Sequence, residues 1–287
     1  MSLSLRDELR VVLSPEQVLL VRIGRSFTYR GLKHRVLDKR SIPCAETSVG
    51  DFPWSGAVRI LAAELSELAG STAFATVILS NRFMQYALVP WSGALKDEEE
   101  ETAYARHFFR KLYGSAAESW ELRLNPERAG RPQLASAVDS RLTDAVRISF
   151  DGAGIRLRSI QPSLMVAYNS CQARLQKSSA WLVLFEAGSL CLALLQQGRL
   201  GSVRTLRAGS DWRDTLPQLL EREAYLTDAD ATTDEVLLWA PEHDESVSPE
   251  STGWPKSTGW KIQALQPAIR PGLMPDYERR FAVAMSG

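Results

Sequence analysis

Residues 181–200, WLVLFEAGSLCLALLQQGRL, consist of two apolar runs separated by a turn of small residues. That turn is Ala187-Gly188-Ser189, and a second turn at Gln197-Gly198 leads into the apolar residues up to Leu206. Apolar runs separated by short turns are typical of antiparallel strands. The stretch therefore predicts a three-stranded meander.

A shorter version of this pattern lies near the N-terminus. Residues 19–30, LLVRIGRSFTYR, also read as strand, glycine turn and strand, with Gly24 matching Gly188 and Arg22 matching Glu186. Two such hairpins, each opening one half of a chain, indicate an internal duplication. We therefore expect a duplicated α/β fold.

The composition is that of an ordinary globular protein. The chain has 287 residues, of which 45% are hydrophobic and 24% charged, enough to bury one large core or two medium ones. The 34 basic residues balance 34 acidic ones, so no net charge attracts nucleic acid or an anionic membrane, although a local charged patch stays open. We expect no nucleic-acid partner.

Cysteine usage and hydropathy predict a cytoplasmic protein without a membrane span. The three cysteines, Cys44, Cys171 and Cys191, are widely spaced and form no C-x-x-C pair, which favours reduced thiols. The longest near-apolar run, 180–195, is interrupted by charge and glycine and is shorter than the ~20 residues of a spanning helix. The N-terminus carries acids and lacks the apolar core of a signal peptide.

The first half predicts the element order βββαβ of a ribonuclease H-like unit. A hairpin covers residues 17–30, a third strand follows over 31–42, and apolar residues at helical spacing mark a helix between 58 and 68. Strands are predicted at 74–79 and 83–89. An inserted subdomain is predicted next, over about residues 92–132.

The helix of that insert, 96–113, starts with five acids at 97–101. A solvated helix start explains them, because carboxylates are favourable at the positive end of a helix. A site for a divalent metal or a basic partner is the alternative.

The remaining elements complete two lobes. We place the seam at Lys177-Ser178-Ser179, between a first lobe, 1–176, and a second lobe, 177–287. The predicted elements are strands 134–138, 155–160, 235–239 and 260–265, and helices 140–150, 163–175, 212–225 and 276–285. The polar loop 241–258 leads into a repeat of the motif STGW, which indicates either a recognition loop with two tryptophans or a locally duplicated surface loop.

These residues carry a resemblance to a known family. The succession of strand, helix and strand over 134–175, the hairpin with Glu186-Ala187-Gly188, and the closing stretch YERRFAVA at 277–284 resemble the actin-like domains of bacterial pilus and secretion platforms. This family includes the type IV pilus protein PilM, the cytoplasmic domain of the type II secretion protein GspL, and MSHA pilus-type biogenesis proteins.

The resemblance implies an actin-like ATPase fold of two ribonuclease H-like halves with reduced subdomains. It also implies a cytoplasmic protein, peripheral to the inner membrane through its partners, with ATP and Mg in the cleft of some members. The expected partner is the cytoplasmic tail of a single-pass inner-membrane protein, and an assembly ATPase is a second candidate.

The nucleotide site of such proteins can be compared with this sequence residue by residue. In actin-like ATPases each hairpin turn wraps phosphate with backbone N–H groups, and an Asp before the first turn helps to hold hydrated Mg²⁺. On this pattern the Asp position holds Arg22, a cation that repels Mg²⁺. The candidate phosphate-loop residues are Gly24, Arg25 and Ser26 in the first turn and Glu186, Gly188 and Ser189 in the second.

Two further departures predict a degenerate site. Leu190-Cys191 follow the second turn where hydroxyl residues are expected, and Pro241 to Asp244 put side chains into the loop that contacts adenosine. We therefore interpret the loops as vestigial, with no cofactor, no metal and no catalytic residue. Anion binding by Arg22 and Arg25 without metal is the alternative for the first turn.

Other chemistries find less support in the sequence. His34, His107 and His243 are scattered, and neither G-x-S-x-G nor a P-loop motif occurs. Trp91, directly after Pro90, is a candidate anchor for a partner peptide. Two functions remain: a non-catalytic actin-like scaffold of a pilus or secretion platform, and an actin-like ATPase that switches such an assembly. A sugar-kinase-like enzyme is a distant third.

Overall fold

The computed structural model describes residues 3–28, 31–45, 50–68, 70, 72–227, 233–240, 259–270 and 272–286. The predicted loop 241–258 lies outside these residues, and so do Pro241 to Asp244 of the predicted adenosine-contacting loop.

The chain alternates between strands and helices along most of its length. The strands are β1 (Leu3–Leu13), β2 (Gln17–Thr28), β3 (Gly31–Pro43), β4 (Thr72–Leu79), β5 (Met84–Val89), β6 (Trp120–Leu124), β7 (Gln133–Asp139), β8 (Arg156–Pro162), β9 (Ala180–Glu186), β10 (Ser189–Gln196), β11 (Arg199–Arg207), β12 (Glu235–Trp239) and β13 (Lys261–Ala264). The helices are α1 (Ser55–Leu68), α2 (Glu98–Tyr113), α3 (Ser140–Gly152), α4 (Ser163–Ser170), α5 (Gln172–Leu175), α6 (Trp212–Leu226) and α7 (Ala282–Met285).

Two compact units share these elements. Unit 1 comprises residues 1–84, 138–170 and 267–287, and unit 2 comprises residues 85–137 and 171–266. Each unit contains one five-stranded sheet, in the order β3-β2-β1-β4-β8 and β11-β10-β9-β12-β13 respectively.

The two sheets have the same topology. In each, three antiparallel strands form a meander, and two further strands run parallel to the first strand. Two sheets with one strand order confirm the predicted duplication and the actin-like architecture of two ribonuclease H-like halves. The chain therefore has the α/β actin-like fold.

In unit 1 the helices α1 and α3 contact each other and bury one apolar stripe each. Leu61, Leu65 and Leu68 on α1 recur at helical spacing, as do Leu142, Val146 and Phe150 on α3. The last five residues of β4 are all buried, the pattern of a central strand covered on both faces.

The C-terminal segment belongs to unit 1, which differs from the predicted second lobe of 177–287. Its Leu273, Phe281, Ala284 and Met285 form one core cluster with Leu19, Val21 and Ile23 of β2. The segment joins unit 1 because its apolar face is buried against β2. The position of a helix in the sequence does not reveal which of the two sheets it covers.

The inserted subdomain is larger than the predicted 92–132. Strands β5 and β7 flank that range and pair with β6 in the three-stranded sheet β5-β7-β6. Phe109 of α2, with Ala87, Leu122 and Ala135 from the strands, lies in its core. The insert, residues 85–137, belongs to unit 2.

The core of unit 2 centres on the predicted meander. Trp181 of β9, Trp212 of α6 and Trp239 of β12 are all buried, and the rings of Phe185 and Trp212 stack at 4.4 Å. The predicted strands of the second half are therefore present.

Strand β1 is a long element that the sequence pattern did not predict. Its Leu9, Val11 and Leu13 are buried, but so are the charged Glu8 and Arg10 between them. Residues on both faces of β1 are buried, and one of these faces carries the charged residues. The alternation of buried apolar and exposed polar residues that marks a strand is therefore hidden.

Candidate functional site

The turn between β1 and β2 is the counterpart of the turn between β9 and β10. The backbone N–H of Ser14 donates to the carbonyl of Gln17 at 3.1 Å, which closes a two-residue turn over Pro15-Glu16. In the other sheet Glu186 pairs with Ser189 across Ala187-Gly188. Ser14 therefore corresponds to Glu186, and Gln17 corresponds to Ser189.

This correspondence corrects the predicted first turn at Gly24. Gly24 lies inside β2, opposite Arg35 of β3, and Arg25 and Ser26 continue the same strand. A Cβ atom at Gly24 would approach the Leu37 side chain to 3.0 Å, so the glycine makes room for a neighbouring side chain. The prediction that Gly24 forms a turn is wrong.

Arg22 also has a different place from the one predicted. It lies in β2, and its Nε is 3.8 Å from the Asp7 carboxylate of β1. Ser14, and not Arg22, is the residue that precedes the real turn. The position before this turn therefore lacks an Asp, but the residue that occupies it is not the predicted one.

The real first turn offers few donors to a phosphate group. Pro15 has no backbone N–H, and the N–H of Gln17 already donates to Ser14 Oγ at 3.1 Å. The carboxylate of Glu16 adds a negative charge, which pairs with Arg82. A phosphate-binding loop needs several open N–H groups, and neither Pro15 nor Gln17 provides one.

The second turn has the predicted strand–turn–strand form. Gly188 has φ 76°, a left-handed conformation that favours glycine, and its carbonyl accepts from the N–H of Ala208 at 3.1 Å. Ser189 is buried, and its Oγ has no hydrogen-bond partner within the part of the chain that the structure describes. Glu186 is half-buried beside them.

Two buried ionisable groups lie near Glu186. Burial raises the pKa of Tyr86 well above its usual value, and the negative charge of the Glu186 carboxylate adds to this effect. Burial also raises the pKa of the Cys191 thiol, again with help from Glu186. Both groups are therefore protonated at neutral pH, and Cys191 is not a reactive thiolate.

The acid run 97–101 caps its helix. Asp97 is the N-cap of α2, and its Oδ1 accepts from the N–H of Glu100 at 2.9 Å. The Glu100 carboxylate accepts in turn from the N–H of Lys96 at 2.7 Å. These bonds satisfy donors at the helix end, as expected of a helix start. Over the ranges described, no three His, Cys, Asp or Glu side chains are grouped as metal ligands.

An aromatic and charged cluster in unit 1 was not predicted from the sequence. The rings of Phe52 and Trp54 stack at 5.0 Å, and the guanidinium of Arg141 lies 4.1 Å from the centre of the Phe52 ring. Arg141 binds Asp139 at 2.7 Å. Burial acts to raise the pKa of Asp139, but the bonds from Arg141 outweigh it and the pKa is lowered.

The candidate anchor Trp91 is half-exposed, at 46%. It lies at the edge of a small cleft of unit 2 whose apolar wall includes Val89, Leu95 and Tyr104. Glu101 contributes a charged group to this cleft.

Comparisons with solved structures find the same fold. A PilM–PilN type IV pilus biogenesis complex is similar with a TM-score of 0.65 and 16% identity over 96% of each chain. The cytoplasmic domain of EpsL, an inner-membrane component of the type II secretion system of Vibrio cholerae, has a TM-score of 0.55 and 9% identity over 91% of each chain. A Bacteroides thetaiotaomicron protein with an actin-like ATPase fold and unknown function has 0.54 and 10%, again over 91% of each.

No protein-family model and no curated protein sequence matches the chain. Among the residues that the structure describes, no helix has both the length and the apolar character needed to cross a bilayer.

Proposed function

We propose that this chain is a non-catalytic actin-like scaffold of a type IV pilus or type II secretion-like assembly platform. On this proposal it is a cytoplasmic protein, held at the inner membrane by its partners, with a degenerate nucleotide site. The observation that carries the proposal is the Pro15-Glu16 turn, which stands where the fold would place a phosphate loop.

The chemistry of this turn opposes nucleotide binding in three ways. Pro15 removes one N–H donor, Ser14 Oγ occupies a second, and Glu16 adds a carboxylate to the turn, which pairs with Arg82. Ser14 also stands in the position before the turn, where the family resemblance implies an Asp that helps to hold Mg²⁺. Its hydroxyl is a much weaker ligand for this cation than a carboxylate.

The second candidate function is an actin-like ATP-binding protein that switches the same assembly. The second turn favours it, because Gly188 keeps the left-handed conformation of a glycine turn and the buried Ser189 hydroxyl lacks a partner in the described residues. Binding of nucleotide by the second turn alone is expected to be weak, because a single turn makes few contacts with the phosphates.

The proposed partner is the cytoplasmic tail of a single-pass inner-membrane protein, and an assembly ATPase is a second proposed partner. Support comes from the fold shared with PilM in its complex with PilN. We place the tail against the exposed indole of Trp91, which adjoins the apolar residues of this cleft. Glu101 in the same cleft favours a tail with a basic residue.

Calorimetry with Mg-ATP distinguishes the two functions. The scaffold predicts no heat of binding with micromolar affinity and no release of phosphate on prolonged incubation. Micromolar affinity for Mg-ATP would reject the scaffold with a degenerate site and support the ATPase.

Capture from membranes tests the proposed partner. The immobilised protein is incubated with detergent-solubilised inner membrane, and the bound proteins are identified by mass spectrometry. We expect a single-pass protein with a short cytoplasmic tail, and a synthetic peptide of that tail should compete with it. Recovery of soluble proteins alone would contradict the proposal.

A further inference from the structure

A second cleft of unit 2 is lined by charged side chains that the proposed function does not use. Its volume is about 530 Å³, within the range of roughly 300–1,000 Å³ that is typical of small-molecule sites. Glu127 and Arg131, from the loop between β6 and β7, line it together with Arg199 at the start of β11. Gln196 and Gln197 line it as well. We call it the charged cleft and define it by these five residues.

The three charged groups of this cleft are not paired with one another. Glu127 and Arg131 are four residues apart in one loop and line the same cleft, yet within the described ranges neither they nor Arg199 form an ion pair. The Glu127 carboxylate accepts one long hydrogen bond, from the N–H of Arg128 at 3.4 Å. The charges of the cleft are therefore available to a ligand.

The wall formed by the β10–β11 hairpin is fixed by its surroundings. The N–H of Gln197 donates to Ser179 Oγ at 3.1 Å, and the N–H of Gly198 donates to the carbonyl of Ser178 at 2.8 Å. A Cβ atom at Gly198 would lie 2.3 Å from the carbonyl oxygen of Gln176, so only glycine permits this close approach. The backbone on this side of the cleft is therefore held in place before a ligand binds, which lowers the entropy cost of binding.

The charged cleft is separate from the second turn and from the cleft beside Trp91. Ser179, which lines the charged cleft, precedes β9, whereas Glu186 ends it, and the 7 residues of β9 span roughly 20 Å. Leu88 lines the charged cleft and Val89 lines the cleft beside Trp91. Because consecutive residues of a strand point to opposite faces, the two clefts lie on opposite faces of β5.

The charges of the cleft match a ligand with two acidic groups and one amino group. Guanidinium groups bind carboxylates through paired N–H donors, so Arg131 and Arg199 fit two carboxylates. Glu127 fits an ammonium group, which donates charge-assisted hydrogen bonds to a carboxylate. An anion without an ammonium group would be repelled by Glu127, and a phosphate, with its higher charge, would be repelled more strongly than a carboxylate.

We propose that the charged cleft binds a small acidic ligand with a free amino group, the chemical class of acidic amino acids and short acidic peptides. Arg131 and Arg199 bind its carboxylates, and Glu127 binds its ammonium group. The side-chain amides of Gln196 and Gln197 supply donors and acceptors for the polar groups between them. The site uses neither hairpin turn of the candidate nucleotide site, so it goes beyond the proposed scaffold function and does not depend on it.

Isothermal titration calorimetry with the full chain tests the proposal. The probes are L-glutamate, the dipeptide of two L-glutamates, inorganic phosphate, and glutarate, which has two carboxylates but no ammonium group. We expect L-glutamate or the dipeptide to bind at least about tenfold more tightly than glutarate. Tighter binding of the dipeptide than of L-glutamate would identify a peptide as the ligand, and the reverse order would identify a free amino acid.

Arg199→Gln is compared with a matched control on the same strand. Arg199 and Arg207 are both exposed residues of β11, but only Arg199 is among the described residues that line the charged cleft. Arg199→Gln should weaken binding of the tighter probe at least about tenfold, whereas Arg207→Gln should stay within about twofold of the unmodified protein.

Glu127→Gln tests the role of the carboxylate. This exposed residue should determine the preference for an ammonium group, so its variant should bind L-glutamate and glutarate with similar affinity. A role of Glu127 in structure alone would weaken the binding of both probes equally and leave the preference intact.

Four outcomes would overturn the proposal. They are no heat of binding with millimolar L-glutamate or dipeptide, equal affinities of the unmodified protein for L-glutamate and glutarate, and equal losses in Arg199→Gln and Arg207→Gln. The fourth is tighter binding of inorganic phosphate than of either amino compound, which would indicate a phosphate site. Because the probes contain neither nucleotide nor membrane protein, these results are independent of the ATP and membrane-capture experiments.

Discussion

The guanidinium of Arg10 donates to the main-chain oxygen of Ser286, which lies 276 residues further along the chain. The same guanidinium binds Glu8 at 2.9 Å, and Arg270 binds Glu8 from the C-terminal segment at 3.0 Å. Glu8 and Arg10 are only 4% and 7% exposed. A buried charge network therefore attaches the segment 270–286 to β1.

The first prediction follows from this network. Arg10→Met should lower the free energy of unfolding by about 3–5 kcal/mol. It removes the hydrogen bonds to the main-chain oxygens of Ala284 and Ser286 and one partner of the buried Glu8 carboxylate. Chemical denaturation measures the change. The double variant Glu8→Leu/Arg10→Met should cost less than the single one, since no buried carboxylate is left without Arg10. Arg280→Met, an exposed C-terminal control, should change stability by less than about 0.5 kcal/mol.

The second prediction concerns Gly24. Gly24→Ala should lower stability by about 1–2 kcal/mol, because the new methyl group would meet the Leu37 side chain at 3.0 Å. If this contact is the cause, Leu37→Ala in the same chain should recover part of the loss, as a double-mutant cycle would show. Equal costs of Gly24→Ala in the unmodified chain and in the Leu37→Ala variant would contradict the packing explanation.

Gly24 also shows why the first hairpin was harder to predict than the second. In the second meander, the apolar runs stop at a true turn, because β9 and β10 are buried almost throughout and exposure begins only at the turn. In the first, the glycine interrupts an apolar run for a packing reason, while the real turn Ser14-Pro15-Glu16 follows a strand whose buried charges conceal it. The local sequence pattern therefore identified the fold. It placed the first hairpin turn inside β2, however, instead of between β1 and β2.

The site residues divide in the same way. Glu186, Gly188 and Ser189 lie at the predicted turn, whereas Gly24, Arg25 and Ser26 lie inside β2. The contact of Arg10 with Ser286 and the stack of Phe52 on Trp54 beside Arg141 depend on tertiary packing, which no local pattern reports. The helix cap at Asp97 was predictable, because its chemistry is confined to neighbouring residues.

The third prediction is a pH dependence at Asp139. Its pKa is lowered in the folded protein, so the carboxylate stabilises the fold above the unfolded pKa of about 3.9, and this contribution is lost as the pH falls through the lower folded value. Asp139 also caps α3. Asp139→Ala should therefore cost about 1 kcal/mol at pH 7. The difference from the unmodified protein should shrink below about pH 4, and a difference that grows on acidification would contradict this assignment.

The fourth prediction concerns Trp91 and the proposed tail. Trp91→Ala should weaken capture of the membrane partner at least about 30-fold, because exposed tryptophans at interfaces commonly contribute about 2 kcal/mol or more. Thermal stability should change little, since the indole is half-exposed. Tyr225→Ala, a control on an aromatic residue that is 91% exposed, should leave capture unchanged. Equal effects of the two variants would exclude the Trp91 cleft as the binding site.

The last prediction concerns ATP. The melting temperature of the unmodified protein should not change with millimolar ATP, with or without Mg²⁺. A micromolar site would add about 4 kcal/mol under these conditions and raise it by several degrees. Arg22→Asp should leave this result unchanged, because Arg22 lies within β2 beside Asp7 and does not adjoin a turn.

The turn itself is the place where binding can be restored. Ser14→Asp/Pro15→Gly/Glu16→Gly supplies a carboxylate before the turn and frees its backbone N–H groups, so this variant should gain a Mg²⁺-dependent shift in melting temperature with ATP. Ser14→Asn/Pro15→Gly/Glu16→Gly, with the same backbone and no added charge, should gain less, and its shift should not depend on Mg²⁺. If neither variant responds to ATP, the loss of binding does not originate in this turn. If the unmodified protein already responds, Pro15 and Glu16 do not block the site, and the ATP-dependent switch becomes the better description of this protein.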